Sequence, residues 1–103
     1  MINVMATIQT RRGKVDEFLA AFDELVPAVR AEEGCLEYFG AIDVACGIDI
    51  QDDVRTDCVT VLEKWESAQA LRDHLAAPHM DAFRAKVAKL VERLTIQVVE
   101  PRA

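Results

Sequence analysis

Val59-Thr60-Val61-Leu62-Glu63-Lys64-Trp65-Glu66-Ser67-Ala68-Gln69-Ala70-Leu71-Arg72-Asp73-His74-Leu75 changes its periodicity midway. Up to Trp65, alternation places Val59, Val61, Glu63 and Trp65 on one face of a strand. Beyond Ser67, steps of three and four place Ala68, Leu71, His74 and Leu75 on one stripe of a helix. Ser67 itself has the side chain of an N-cap. A strand running straight into a helix, with both apolar faces turned inward, brings the only tryptophan and His74 towards the same interior space.

Working outward, Ile2 to Gln9 alternates as a first strand, with Ile2, Val4, Ala6 and Ile8 on one side and Asn3, Met5, Thr7 and Gln9 on the other. Arg11-Arg12-Gly13-Lys14 turns the chain. From Val15, the apolar residues Phe18, Leu19, Phe22, Val26 and Val29 predict a long amphipathic helix, interrupted or tightened near Pro27 and stopped at Gly34. Cys35 to Val44 reads as a second strand, with Leu36, Tyr38 and Gly40 on one face and Cys35, Glu37 and Phe39 on the other. Residues 45–57 mix isolated apolar residues with acids and predict an extended hairpin arm, turning at Cys46-Gly47 or at Gln51-Asp52-Asp53. Ala76-Ala77-Pro78 breaks the helix of the opening stretch. A further helix starts near His79, with Met80, Phe83, Val87, Leu90, Val91 and Leu94 as its stripe, and Thr95 to Val99 forms a last strand before the tail 100–103.

The order βαββαβ, its second helix in two pieces, predicts an α+β domain over residues 1–103: a four-stranded antiparallel sheet with the helices on one face, the ferredoxin-like arrangement. The uncovered face would carry Met5, Cys35, Phe39, Leu62 and Val99, and an apolar face of that kind is usually covered by a second copy. A two-fold homodimer joined sheet to sheet is expected.

A chain of 103 residues buries about two thirds of its unfolded surface, enough for one modest core. Eighteen acidic residues against twelve scattered basic ones argue against a nucleic-acid partner, and no apolar stretch is long enough to cross a membrane. Cys35, Cys46 and Cys58 form no close pair, which suits free thiols in a reducing cytoplasm, and the first residues lack the features of a secretory signal. Gly13, Gly34, Gly40 and Gly47 build neither a dinucleotide loop nor a P-loop, so no cofactor is expected from motif.

Among chemical side chains, His74 is the first candidate, because it lies on an apolar stripe and an imidazole changes charge near neutral pH. His79 follows Pro78 at a helix start, where capping explains it; the two histidines straddle a break and lack the spacing of two ligands on one helical face, so no metal site is expected. Trp65 offers a flat wall for an aromatic ligand, although a lone strand tryptophan also serves as core. Tyr38 keeps a hydroxyl for hydrogen bonding, and Asn3 and Arg84, the latter beside Phe83, are further polar candidates.

The segments Glu33-Gly34-Cys35-Leu36-Glu37-Tyr38, Leu62-Glu63-Lys64-Trp65-Glu66-Ser67-Ala68-Gln69-Ala70-Leu71 and His74-Leu75-Ala76-Ala77-Pro78-His79-Met80 resemble the antibiotic biosynthesis monooxygenase domain family, particularly its quinol monooxygenase-like members. The resemblance implies a dimeric α+β barrel with a pocket between sheet and helices in each protomer. It also implies catalysis without flavin or metal, in which a dihydroxyaromatic is deprotonated and its electron-rich anion reacts with oxygen. On that analogy, His74 would assist proton removal, Trp65 would pack against the ring, and Arg84, Asn3 or Tyr38 would stabilise the developing oxyanion. His74 and Arg84 are thus the catalytic candidates, and Trp65, Tyr38 and Asn3, with His79 and Phe83, the candidates for substrate binding. The polyketide-oxidising branch has an asparagine and a tyrosine where this chain has Val61 and Leu71, and the haem-degrading branch has an axial histidine where this chain has Arg84. Haem is therefore the less favoured ligand, and the alternative to an enzyme is a non-catalytic dimeric module holding a small apolar ligand. The arm between Tyr38 and Trp65 is longer than the family usually has.

Overall fold

Strand β1 (Ile2–Thr10) occupies the middle of the sheet, where its even-numbered residues from Ile2 to Ile8 are apolar and it finds a partner on each edge. The structure, a computed structural model, describes residues 1–102. After β1 come α1 (Val15–Arg30), β2 (Cys35–Ala41), β3 (Cys58–Trp65), α2 (Ala68–Leu75), α3 (Pro78–Val87) and β4 (Val91–Val99). The strands lie in the order β2-β3-β1-β4, all antiparallel, which is the ferredoxin-like sheet. Ile2 faces Trp65 and Gln9 faces Cys58 across the β1–β3 ladder, while Asn3 faces Val99 and Ile8 faces Leu94 across the β1–β4 ladder.

This register puts Val4, Ala6 and Ile8 beside Val59, Val61 and Trp65 on the inner face, where all six are buried under the helices. Helix α1 answers with Phe18, Ala21, Phe22, Leu25 and Val29, and runs through Pro27 to Arg30. Gly40, on the inner face of β2, makes room for this helix: a Cβ there would lie 3.0 Å from the Phe22 ring. Phe22 in turn stacks on Tyr38 at 5.5 Å between centroids. Helix α2 starts at Ser67, whose hydroxyl accepts from the Ala70 N–H at 3.1 Å, as an N-cap should. Helix α3 begins with Pro78 in its first turn, where a missing N–H costs nothing. No helix among the described residues is long and apolar enough to cross a membrane.

Four expectations need correction. Helix α3 ends at Val87 and β4 starts at Val91, so Val91 and Leu94 belong to a strand; a nine-residue β1 offers them a ladder, and tertiary pairing overrides a helical spacing. Strand β2 stops at Ala41, and residues 42–57 form an irregular loop with no ladder. Arg55 clamps the base of that loop onto Asp43 through 2.8 and 2.9 Å bonds, and the turn falls at Ile48–Gln51, closed by a 3.0 Å bond between their backbone groups. The β2–β3 register slips between Cys35 and Glu37, and this bulge sends Cys35 to the core side and leaves Leu36 exposed.

Candidate active site

The cavity between sheet and helices has a volume of about 330 Å³ and is mostly apolar, with Phe18, Phe22, Met80 and Phe83 among its walls. Its opening lies beside β4: Leu94 and Ile96 point inward from that strand but remain 58% and 45% exposed, because the helices cover only the other three strands. Four polar side chains reach the cavity: Tyr38 from β2, Glu63 from β3, His74 from α2 and Arg84 from α3. A second concavity, on the opposite sheet face below Arg55, is lined by Thr7, Gln9, Asp57, Arg93 and Thr95 and contains no aromatic side chain.

Glu63 takes the inward position that strand alternation gives it, among Val59, Val61 and Trp65. It is 8% exposed, and Oε1 accepts the Trp65 indole N–H at 2.9 Å. Burial raises its pKa to about 7, against the indole bond, which favours the carboxylate, and with a smaller push upward from Glu32.

His74 is 1% exposed and tilted against Trp65, with centroids 4.6 Å apart, and edge-on to Tyr38 at 5.6 Å. Its Nδ1 lies 2.8 Å from Glu32 Oε2, and His79 Nε2 lies 2.9 Å from the same oxygen. Burial lowers the affinity of His74 for a second proton, although the Glu32 carboxylate opposes this. A neutral ring donating Nδ1–H to Glu32 leaves Nε2 as an acceptor. Among the described residues no group bonds Nε2 or the Tyr38 hydroxyl, and no fully buried side-chain polar atom is left without a partner. Both atoms therefore open onto the cavity they line. Burial also pushes the Tyr38 phenol well above its ordinary pKa, keeping it a neutral hydroxyl. Arg84 stands at the rim, donating to the Leu75 carbonyl at 2.6 Å and to Asp81 at 2.9 Å.

Of the residues singled out from sequence, His74, Arg84, Tyr38 and Phe83 meet at the cavity. Trp65 does not line it: the indole is 0% exposed, sealed behind Glu63 and His74, and acts on the cavity through them. Asn3 lies on the other face of the sheet, opposite Lys64 and Val99, because odd positions of β1 point away from the helices. His79 turns away to Glu32. The argument from spacing against a paired role for the histidines does not hold, since the bend between α2 and α3 carries both rings onto one carboxylate oxygen. Sequence reasoning passed over Glu63, although an acid at an inward strand position was its signal. It also passed over Glu32, for which no local signal exists, 42 residues from His74.

A four-stranded antiparallel sheet backed by helices, with an apolar chamber holding a carboxyl, an imidazole and a phenol, defines a ferredoxin-like domain suited to enclosing a small molecule. The antibiotic biosynthesis monooxygenase family matches residues 1–86, and the chain belongs to that family. It is 36% identical over 103 residues to YgiN of Escherichia coli K12, named a probable quinol monooxygenase, with 98% of each chain covered. Two solved structures share the fold. PA3566 from Pseudomonas aeruginosa superposes with a TM-score of 0.80 at 24% identity, covering 99% of this chain and 94% of its own. Rv0793 from Mycobacterium tuberculosis gives 0.79 at 24%, covering 99% and 95%.

Proposed function

We propose that this chain is a quinol monooxygenase: it holds a small dihydroxyaromatic in the cavity, removes a hydroxyl proton, and lets the resulting anion react with molecular oxygen. The observation that carries the reading is the placement of Glu63, a carboxyl buried in an apolar chamber beside an imidazole and a phenol; that burial raises its pKa to about 7, close to where a general base works best. The name of the Escherichia coli relative and the family's own description point to the same chemistry.

In this reading Glu63 takes the proton, and the His74 Nε2 lone pair accepts a hydrogen bond from the second hydroxyl. Phe22 and Phe83 flank the ring, while Arg84 at the rim and the Tyr38 hydroxyl stabilise the developing phenolate. The reaction balances without an outside reductant. One oxygen atom enters a ring C–H, the other leaves as water, and the four electrons come from the substrate, which departs as a hydroxylated quinone. Two copies would pair across the outer sheet face, where Phe39, Leu62 and Met5 stand in register on three neighbouring strands.

Oxygen uptake with a panel of hydroquinones, and mass spectrometry of products formed under ¹⁸O₂, test the assignment. Turnover with one labelled atom per product is expected, rising with pH through about 7 as Glu63 ionises. Glu63→Gln should lower kcat by about a hundredfold or more. Trp65→Phe removes a donor that favours the carboxylate, so its profile should move to higher pH. Thermal stabilisation by a quinol with no oxygen consumed would overturn the reading in favour of a binding module, and unlabelled quinone would reduce it to a plain oxidase.

A further inference from the structure

We propose that Glu32, His74 and His79 form a site for one divalent transition ion of the zinc class, on the side of His74 away from the cavity. The three residues come from separate elements: the turn after α1, the last turn of α2 and the first turn of α3. The chain has two histidines, and both bring a ring nitrogen to the same carboxylate oxygen, 2.8 and 2.9 Å away, with all three ligand atoms within 4.8 Å of one another. Bonds of ~2.0–2.1 Å in a tetrahedral site require ligand atoms roughly 3.3 Å apart, so the two oxygen–nitrogen gaps would widen by about half an ångström and the two ring nitrogens, within 4.8 Å of each other, would draw together by up to about 1.5 Å. The Glu32 stem, rooted in a turn, and the partly exposed His79 can supply those movements.

Three further features favour an ion. His74 is already clamped by Trp65 and Tyr38, so one ligand is held in place before binding. Glu32 has no Lys or Arg ion-pair partner among the described residues, leaving its negative charge for a dication to offset. The side chains of Glu32 and His79 are 14% and 32% exposed, so an ion reaches the site from solvent and keeps an open position for water. Two imidazoles and a single carboxylate suit zinc and its first-row neighbours, whereas calcium and magnesium prefer oxygen ligands throughout. An ion there braces the cavity wall through His74 Nδ1 and does not touch a molecule lying on the Nε2 side.

The test is direct binding to the untagged, chelator-treated full chain: zinc by calorimetry, and cobalt by its visible absorption. One ion per chain is expected, with a tetrahedral cobalt spectrum and a higher Tm. Glu32→Gln and His79→Ala, chosen because both side chains are partly exposed and their loss leaves the core intact, should each weaken binding by at least about tenfold. Failure of the parent to bind, or equal binding by folded Glu32→Gln and His79→Ala proteins, would overturn the proposal. None of these readouts requires turnover, so the outcome stands apart from that of the quinol assays.

Discussion

Glu63 illustrates how a side chain can oppose stability while serving chemistry. Its folded pKa of about 7 lies above the ordinary value of 4.5, so the protonated form fits the buried site and the ionised form is costly. The sign follows directly: the contribution is most favourable below about pH 4.5 and is lost as pH rises through 7. Glu63→Gln keeps an acceptor for the Trp65 indole without the charge. It should make the protein more stable than the parent above pH 7 by on the order of 3 kcal/mol and flatten that slope, as read from urea unfolding across pH. An unchanged slope would show that the carboxyl ionises without cost. Much of this site was legible beforehand: the inward face of β3 follows from alternation alone, and so does the approach of Trp65 to His74. The role of the indole was not legible. Periodicity says that a ring points inward but not whether it meets a cavity or seals one, which depends on the packing of His74 and Glu63 against it.

At the level of elements, the corner between α1 and β2 depends on one glycine. Gly34 has φ +85°, a Cβ there would lie 2.7 Å from the Ala70 Cβ in α2, and its carbonyl accepts the Glu66 N–H at 2.8 Å. Gly34→Ala therefore combines a strained backbone with a clash against a neighbouring helix, and should cost about 2–4 kcal/mol. Gly13→Ala, at φ +75° with nothing within 4 Å, should cost only the backbone strain, about 1–2 kcal/mol. Equal losses in thermal unfolding would mean that the clash relaxes freely. The corner also presents Glu32, so the same substitution disturbs the carboxylate that holds both histidines. Gly34 was read as the residue that stops the first helix, which in fact ends at Arg30, and its close approach to α2 was not legible, because a sequence does not show which element crosses it. The misread boundary at Val91 has a related cause. Val87, Leu90, Val91 and Leu94 satisfy a helical spacing, and only the open edge of β1 turns the last two into strand.

For the whole molecule, the outer face of the sheet is the surface on which the expected dimer rests. Met5, Phe39 and Val99 remain 37%, 41% and 46% exposed there, around Leu62, and Ile96 and Val98 on the other side of β4 are similarly bare. A sheet-to-sheet dimer would cover the first group, so light scattering should report twice the 11.5 kDa of one chain. Phe39→Glu, charged in the middle of the row formed with Leu62 and Met5, should shift the protein towards monomer with little change in the fold of each copy. A parent that runs as a monomer at high micromolar concentration would remove this expectation. The apolar outer face was legible from alternation, apart from Cys35, which the bulge in β2 moved to the core. The ladders hold one more consequence. Because Asn3 stands opposite Val99, the two ends of the sheet's backbone emerge side by side, while the irregular loop around Gly47 belongs to no ladder. A circularly permuted gene, with those ends sealed by a short flexible link and new termini opened at Gly47, would rename the strands without unpairing any of them.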